Sequence, residues 1–205
     1  VAAVDVVLLT VPDAALPALA ASLPFRAGQR VVHTSGALGL EALNPARAAG
    51  AVAGCLHPLQ SFAAPEGELG KLRGVVCGVE ADAPLDAWLG VLCTRLGARV
   101  LPLAGVDRAG YHAAAVFASN HLVALYAAAE RAFACAGLPP EAARAALLPL
   151  SRGTLDNLAQ RPPAAALTGP VARGDAPTVA AHDQALAADP ALRSLYRALS
   201  GALLE

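Results

Sequence analysis

Polar side chains within an otherwise apolar stretch, Arg108 to Cys135, could carry out chemistry. If the stretch is one helix, at about 100° per residue, His112 and Ser119 lie on one stripe and Asn120 lies at its edge. His112 is about two helical turns before Asn120, so the imidazole could donate a proton while the amide orients a substrate carbonyl and Ser119 contacts the substrate. The alternative interpretation is that these groups are buried and satisfy one another or a partner subunit.

His57 is a second candidate for proton transfer, because an imidazole titrates near neutral pH. It opens the segment His57–Phe62, HPLQSF, in which Gln60 and Ser61 could bind a small polar substrate. The segment follows a predicted strand, and open α/β sheets bind their ligands at the carboxyl ends of strands. The alternative is that His57 ends the strand by bonding a nearby carbonyl.

Two turns that follow predicted strands hold residues suited to contacting a ligand. The first comprises Val11, Pro12 and Asp13, and the second comprises Thr34, Ser35 and Gly36. Consecutive strands of a parallel sheet end at the same edge, so the two turns are expected side by side. The alternative is ordinary turn chemistry, since Asp caps helices and Ser-Gly forms turns without any ligand.

Arg173 lies in a loop, residues 167–175, before a helix that Asp175 is expected to cap. Its planar guanidinium could bind a substrate carboxylate through two hydrogen bonds. It could equally pair with Asp175 and clamp the loop. Both interpretations stay open at this point.

The first half of the chain alternates apolar runs with Ala- and Leu-rich segments, a pattern typical of α/β folds. The run Val4–Val11 is nearly continuous in Val and Leu, which predicts a strand covered on both faces of a parallel sheet. Further strands are predicted at residues 30–34, 51–56, 74–79 and 98–103. Helices are predicted at 13–23 and 82–96, capped by Asp13 and Asp82, and over a short stretch at 38–49.

After Gly105 the pattern becomes helical and no further strand is predicted. The stretch 108–135 contains no Pro and predicts one helix of more than about five turns. Further helices are predicted at 139–150, 154–159, 177–188 and 190–204. We therefore expect an α/β domain with a parallel sheet at residues 1–106, followed by an all-helical domain at residues 107–205.

The composition excludes several classes of function. The 205 residues carry a net charge of -1 with acids and bases scattered, which gives no footprint for nucleic acid or an anionic membrane. The best window for a membrane span, residues 111–129, has polar groups near its middle, so a transmembrane helix is not expected. The four cysteines form no CxxC pair, which predicts reduced thiols in a cytoplasmic protein. The dispersed histidines predict no metal site, and without GxSxG a serine hydrolase is not expected.

Four segments, in this order, are similar to a known family. They are a strand ending in TVPD (10–13), VVHTSGALG (31–39), HPLQSF (57–62), and YHAAAVFASNHLVALY (111–126) followed by LTGPVARGD (167–175). Together they resemble the Rossmann-like proteins with a carboxyl-terminal DUF2520 domain, which are related to pyrroline-5-carboxylate reductase, ketopantoate reductase and the 6-phosphogluconate dehydrogenase-like group. The resemblance covers essentially the whole chain.

This resemblance implies a Rossmann-type NAD(P)-binding domain and a helical domain that usually forms a homodimer. It implies an oxidoreductase that uses NADP or NAD to reduce a C=O or C=N bond of a small, carboxylated metabolite. It also implies that the turns at 11–13 and 34–36 face the nicotinamide ribose and ring. In the related hydroxyacid dehydrogenases a catalytic Lys stands four residues before an Asn. Here that position is Val116, so His112 is the candidate donor instead.

The sequence departs from the family in having no GxGxxG turn, which would seat the cofactor pyrophosphate on a helix amino terminus. The run Val4–Val11 matches the family's fourth strand, so we expect roughly 60 to 70 residues, about two β-α units, to lie upstream. The sequence as given is expected to bind the cofactor weakly. The rival hypothesis is a non-catalytic dimerisation or scaffold module in which the helical half carries the function.

Overall fold

The computed structural model describes residues 1, 3–64 and 68–204 of the chain. Five short apolar runs pair in sequence order into one sheet: β1 (Val6–Leu9), β2 (Arg30–His33), β3 (Val52–Pro58), β4 (Val76–Ala81) and β5 (Arg99–Pro102). β1, β2 and β3 are parallel, as are β4 and β5, whereas β4 runs antiparallel to β3. The predicted α/β class is confirmed, with a mostly parallel sheet.

The antiparallel pair goes with a connection between β3 and β4 whose described residues form no crossover helix. A parallel return needs a crossover of a dozen or more residues, usually a helix. In the described part of residues 59–75, only a 3-10 turn, Leu69–Leu72, takes that place. The chain therefore turns back beside β3 without crossing the sheet.

The third strand is longer than predicted and contains His57. β3 continues to Pro58, whereas the sequence pattern ended the strand at Leu56. His57 pairs with Gly78 of β4, and the N–H of the following Leu59 still donates to the carbonyl of Val76 at 2.9 Å. The extension depends on a strand that is distant in the sequence. His57 is consequently held by the sheet and not by a loop.

Helices cover both faces of the sheet. α1 (Leu16–Ser22) and α2 (Asn44–Ala48) cover one face, and α3 (Leu85–Arg95) covers the other. The first face buries Val7, Leu9, Leu16, Ala20, Val31, Leu43, Ala46 and Ala53. The second face buries Val32, Leu56, Cys77, Val79, Leu85, Leu89 and Cys93. Successive strand residues alternate between these two cores, as the pleat requires.

The prediction that β1 is covered on both faces is wrong in the described structure. Val7 and Leu9 are buried, but Leu8, which points to the opposite face, is 55% exposed. β1 is an edge strand, whereas α3 makes its sheet contacts with β3, β4 and β5. The cover on the second face therefore does not reach Leu8.

Asp13 and Asp82, two of the three acidic residues predicted as helix caps, do not perform that role. Asp13 opens a 3-10 turn, Asp13–Ala15, and makes no capping hydrogen bond. The carboxylate of Asp82 instead accepts from Arg47 Nε at 3.0 Å and from the N–H of Ala53 at 3.0 Å. Asp82 thus ties α2 to β3, a long-range role that local pattern cannot indicate.

The long helix predicted over 108–135 is interrupted at Ser119. α4 (Arg108–Ala118) ends there, and α5 (Asn120–Cys135) begins one residue later. The Ser119 hydroxyl donates to the carbonyl of Ala115 at 2.7 Å, and its N–H donates to the carbonyl of Val116. Such back-bonding by Ser disturbs a helix. The chain contacts also divide here, into compact units Val1–Ser119 and Asn120–Glu205.

The regular elements in the described residues of the second unit are all helices. Its elements after α5 are α6 (Pro140–Gln160), α7 (Pro163–Ala166), α8 (Gly169–Ala172), α9 (Ala176–Ala185) and α10 (Pro190–Ala202). α6 merges the two helices predicted at 139–150 and 154–159, since Gly153 inside a helix costs only about 1 kcal/mol relative to Ala. Asp175 accepts from the N–H of Thr178 at 3.2 Å and caps α9 as predicted.

Ion pairs join the helices of the second unit. Arg131 of α5 pairs with Asp189 at the start of α10, and Asp183 of α9 pairs with both Arg197 and Arg193 of α10. The guanidinium groups of Arg197 and Arg193 hold the pKa of Asp183 well below its ordinary value. Among the residues the structure describes, none of the helices combines the length and apolarity needed to cross a membrane.

Candidate functional site

Three rings meet on one face of the sheet within the first unit. His57 of β3 lies against Tyr111 and His112 of α4, with ring centroids 5.6 Å and 6.0 Å away. Nδ1 of His57 is 2.8 Å from the hydroxyl of Tyr111, a hydrogen-bond distance. The structure therefore brings together two of the predicted proton-transfer residues and adds a tyrosine that sequence analysis missed.

The start of α4 decides which of its side chains face His57. Asp107 caps this helix by accepting from the N–H groups of Ala109 and Gly110 at 3.1 and 3.2 Å. With the first turn fixed, Arg108, Tyr111 and His112 are spaced i, i+3 and i+4, which places them on one helical face. The capping Asp107 followed by this spacing is the sequence signal that could have identified Tyr111.

Two glycines leave the space that the three rings occupy. A Cβ at Gly36 would lie 2.6 Å from Nδ1 of His112 and 2.8 Å from Nε2 of His57. A Cβ at Gly78, the β4 partner of His57, would lie 2.6 Å from the hydroxyl of Tyr111. These distances are all too short for a normal contact, so any other residue at Gly36 or Gly78 would displace the neighbouring side chains. Two nitrogen atoms from different elements therefore converge on the turn at Gly36.

Arg108 ties α4 to that same turn. Its side chain is only 10% exposed, and its Nη2 donates to the carbonyls of Ser35 and Leu38 at 3.2 and 2.7 Å and to the sulfur of Cys55 at 2.9 Å. Glu80 lies 3.8 Å from Nη1. Within the described residues, Arg108 Nε and His112 Nδ1 are buried without a hydrogen-bond partner. The cluster thus contains buried polar atoms to which the described residues give no hydrogen bond.

Burial and nearby positive charge set the protonation states in the cluster. Burial lowers the pKa of His57 from its ordinary 6.5, and His112 and Arg108 lower it further. Burial also raises the pKa of Tyr111 and that of the Cys55 thiol. At neutral pH the imidazole of His57 is therefore mainly uncharged, and the phenol and the thiol keep their protons.

The turn at residues 34–39 is built by its own hydrogen bonds. The buried His33 accepts from the N–H of Ser35 through Nδ1 at 3.2 Å, and its Nε2 lies 3.2 Å from the carbonyl of Gly39. The Ser35 hydroxyl accepts from the N–H groups of Ala37 and Leu38. These contacts supply the ordinary turn chemistry that was one of the two interpretations of Ser35. Burial lowers the pKa of His33.

The first predicted turn lies at the same edge of the sheet. Leu9, the last residue of β1, pairs with His33, so Val11, Pro12 and Asp13 leave the sheet beside Thr34. The charge of Asp13 raises the pKa of both His33 and His57, though by less than burial lowers it. The expected neighbourhood of the two turns is therefore present in the strand register.

The remaining predicted residues belong to other elements of the structure. Gln60 is exposed and folds back on its own loop, donating to the carbonyl of Lys71 at 3.2 Å and accepting from the N–H of Ser61 at 2.8 Å. Asn120 begins α5, and Arg173 follows α8, so both belong to the second unit. The substrate roles of Gln60, Ser61, Ser119 and Arg173 and the orienting role of Asn120 stay predictions.

Two other kinds of site can be compared with the ring cluster, namely a surface depression and a group of metal-binding side chains. A surface depression of the first unit is lined by α3 and β5 side chains, among them Val91 and Arg95, and does not include the histidines. In the described part of the chain, no group of three or more His, Cys, Asp or Glu side chains could hold a metal ion. The ring cluster is therefore the stronger candidate for chemistry.

Comparison with protein families identifies the chain. The family profile described as "Domain of unknown function (DUF2520)" matches residues 75–203, and a Rossmann-like domain profile matches residues 1–58. The chain belongs to the DUF2520 family, with a Rossmann-like domain at its amino-terminal side. The resemblance carried by the TVPD, HPLQSF and TGPVARGD segments is thereby confirmed. No curated protein matches the sequence significantly.

Solved structures share the fold over nearly the whole chain. A candidate NADP oxidoreductase from Bacteroides fragilis is 26% identical with a TM-score of 0.78, covering 97% of this chain and 74% of its own. A Thermotoga maritima protein is 28% identical with a TM-score of 0.75, covering 96% and 75%. A reductive aminase from Aspergillus terreus, in complex with NADPH and ethyl-5-oxohexanoate, is 13% identical with a TM-score of 0.68, covering 98% and 73%. The last of these shows similarity of fold alone.

Proposed function

We propose that the chain belongs to an NAD(P)-dependent oxidoreductase that reduces a C=O or C=N bond of a small, carboxylated metabolite. The observation that carries the proposal is the convergence of His57 Nε2 and His112 Nδ1 on the turn at Gly36. Family membership and the fold shared with a candidate NADP oxidoreductase support it.

The residues at this sheet edge fit the nicotinamide end of such a cofactor. The turns 11–13 and 34–36 lie side by side, and Gly36 brings backbone without a side chain next to the buried, unpartnered Nδ1 of His112. These turns would hold the nicotinamide ribose and ring. The nicotinamide ring would supply the hydride when the cofactor is bound. NADP and NAD are both compatible with the residues described.

The histidines would manage the proton in this reaction. His57, mainly uncharged, would donate a hydrogen bond from Nε2 to the oxygen or nitrogen of the substrate's double bond as negative charge develops there. His112 would donate the proton that completes the alcohol or amine. The partial exclusion of water by α4 strengthens both interactions.

His112→Ala tests the proposal in the protein that carries this chain. Turnover should fall by about 10²-fold or more, the usual scale for loss of a general acid, while cofactor affinity stays unchanged. The assay follows NADPH or NADH oxidation with a panel of small keto acids and imines. The control is His121→Ala, an exposed histidine of α5. Equal turnover in both variants would overturn the role of His112.

A second proposal concerns assembly, and one observation favours it. Helices of the second unit leave large apolar side chains in solvent, including Val123 at 71% and Leu150 at 67% exposed. We infer a homodimer that covers this surface through the helical domain, and a non-catalytic dimerisation module is the alternative function that the same surface favours. Light scattering that gives a monomer at micromolar concentration would contradict the dimer.

The free state of all four cysteines supports a cytoplasmic location.

A further inference from the structure

We propose that Tyr111 is a positioning residue: its hydroxyl donates to Nδ1 of His57 and so keeps the single ring proton on Nε2, the nitrogen that faces the turn at Gly36. The inference deepens the proposed function and rests on it. It assigns a task to a residue that no comparison with known proteins singles out.

The hydrogen bond between the two side chains is the first observation. The Tyr111 hydroxyl is 2.8 Å from Nδ1, and the two rings meet edge to face at 80°. An uncharged imidazole has one donor and one acceptor nitrogen, so a proton received at Nδ1 fixes the ring's own proton on Nε2. The Arg108 guanidinium lies 5.8 Å from the Tyr111 ring centre. Its positive charge favours donation by the phenol, because donation places partial negative charge on the phenol oxygen.

The backbone of β4 is shaped for this hydrogen bond. Gly78 lies directly opposite His57 in the strand register, and a Cβ there would be 2.6 Å from the Tyr111 hydroxyl. Gly78 does not adopt a positive φ, so backbone conformation does not require a glycine at this position. The reason is space: the same Cβ position would also be 2.6 Å from Cδ1 of Leu103, so Gly78 makes room for the hydroxyl and for this leucine together.

The consequence for chemistry lies at the other side of the imidazole. Nε2 and Cε1 of His57 both lie 2.8 Å from the position of a Cβ at Gly36, and the buried, unpartnered Nδ1 of His112 lies 2.6 Å from it. With the proton fixed on Nε2, His57 offers a hydrogen-bond donor in that direction. Without Tyr111, the ring can carry its proton on Nδ1 or turn over, and the donor is lost for part of the time.

The first test measures the ring itself and needs no turnover. Nitrogen-15 NMR of labelled protein should show His57 with its proton on Nε2, and Tyr111→Phe should give a mixture of both forms. Gly78→Ala, which displaces the hydroxyl without removing it, should produce the same mixture. Tyr126→Phe is the control, since that hydroxyl contacts the carbonyl of Arg144 in the second unit. A wild-type ring with its proton on Nδ1, or no change in Tyr111→Phe, overturns the proposal.

The second test concerns catalysis. Tyr111→Phe should lower kcat about three- to ten-fold, the worth of one neutral hydrogen bond, with the KM for NADPH unchanged. If the NMR result holds but the protein turns over no substrate with NADPH or NADH, the proposed function fails while the positioning of His57 stands. If turnover exists and Tyr111→Phe leaves kcat unchanged, the positioning has no catalytic role and the inference is overturned.

Discussion

Replacing Gly36 with Ala tests how closely the histidine rings fit the turn after β2. The new Cβ would lie 2.6 Å from His112 Nδ1 and 2.8 Å from His57 Nε2, whereas ordinary contacts begin at 3.4 Å. The turn and the rings must therefore separate by about 0.6 to 0.8 Å, and overpacking of this kind costs about 1–3 kcal/mol. Gly36 does not adopt a positive φ, so the cost is steric and not conformational. Urea unfolding should report a free energy of unfolding lower by that amount.

Gly90→Ala is the matched control for this experiment. Gly90 lies inside α3 of the same unit, and nothing lies within 4 Å of its Cβ position. Ala there should raise the free energy of unfolding by about 0.5–1 kcal/mol, since Gly is unfavourable inside a helix. The two substitutions thus add the same methyl group but should change the free energy of unfolding in opposite directions. A Gly36→Ala protein as stable as wild type would refute the close approach of the rings to the turn.

Three further predictions concern the burial of β1, the titration of the buried histidines and cofactor binding. Leu9→Ala should lower the free energy of unfolding by about 2–4 kcal/mol and Leu8→Ala by less than about 1 kcal/mol, because only Leu9 is buried. Equal losses of the two variants in urea denaturation would contradict the burial of Leu9 and the exposure of Leu8 in β1. The lowered pKa values of His33 and His57 mean that the unfolded chain takes up protons first as the pH falls. The free energy of unfolding should therefore be constant well above pH 6.5, the ordinary value, and decrease as the pH falls through it; denaturation at several pH values checks this, and His57→Gln should reduce the slope. The 205-residue chain should bind NADPH weakly, since its sequence has no GxGxxG turn, and tight binding in a fluorescence titration would contradict this.

Local sequence pattern predicted the elements that form from local interactions. The strands around Val31 and Ala53 are apolar runs, and such runs pair wherever a sheet can bury them. Asp175 caps its helix through contacts within three residues, and this prediction is confirmed. What failed depends on interactions beyond the local pattern. The extension of β3 to Pro58 and the partners of the Asp82 carboxylate depend on segments distant in the sequence. The direction of β4 depends on the connection from β3, whose described residues form no crossover helix.

The candidate site was predicted in part for the same reason. His57 and His112 were identified by the chemistry of their side chains, which is visible in any sequence. Tyr111 was not, because its partner is 54 residues away and a lone tyrosine is usually a core residue. Gly36 was identified as a turn residue, while its actual constraint is the approach of two rings from other elements.

The position of Arg108 links the stability of the first unit to the proposed chemistry. Burying a guanidinium costs several kcal/mol, and Glu80, at 3.8 Å, offsets that cost only in part. The carbonyls of Ser35 and Leu38 supply further compensation and hold the turn below the rings. An apolar side chain could fill this space at lower cost, but it would not place a permanent positive charge beside His57. Burial, His112 and then this charge lower the pKa of His57, and only an uncharged imidazole has an acceptor nitrogen for Tyr111. Arg108 thus anchors the turn at residues 35–38 and adds to the causes that keep His57 uncharged.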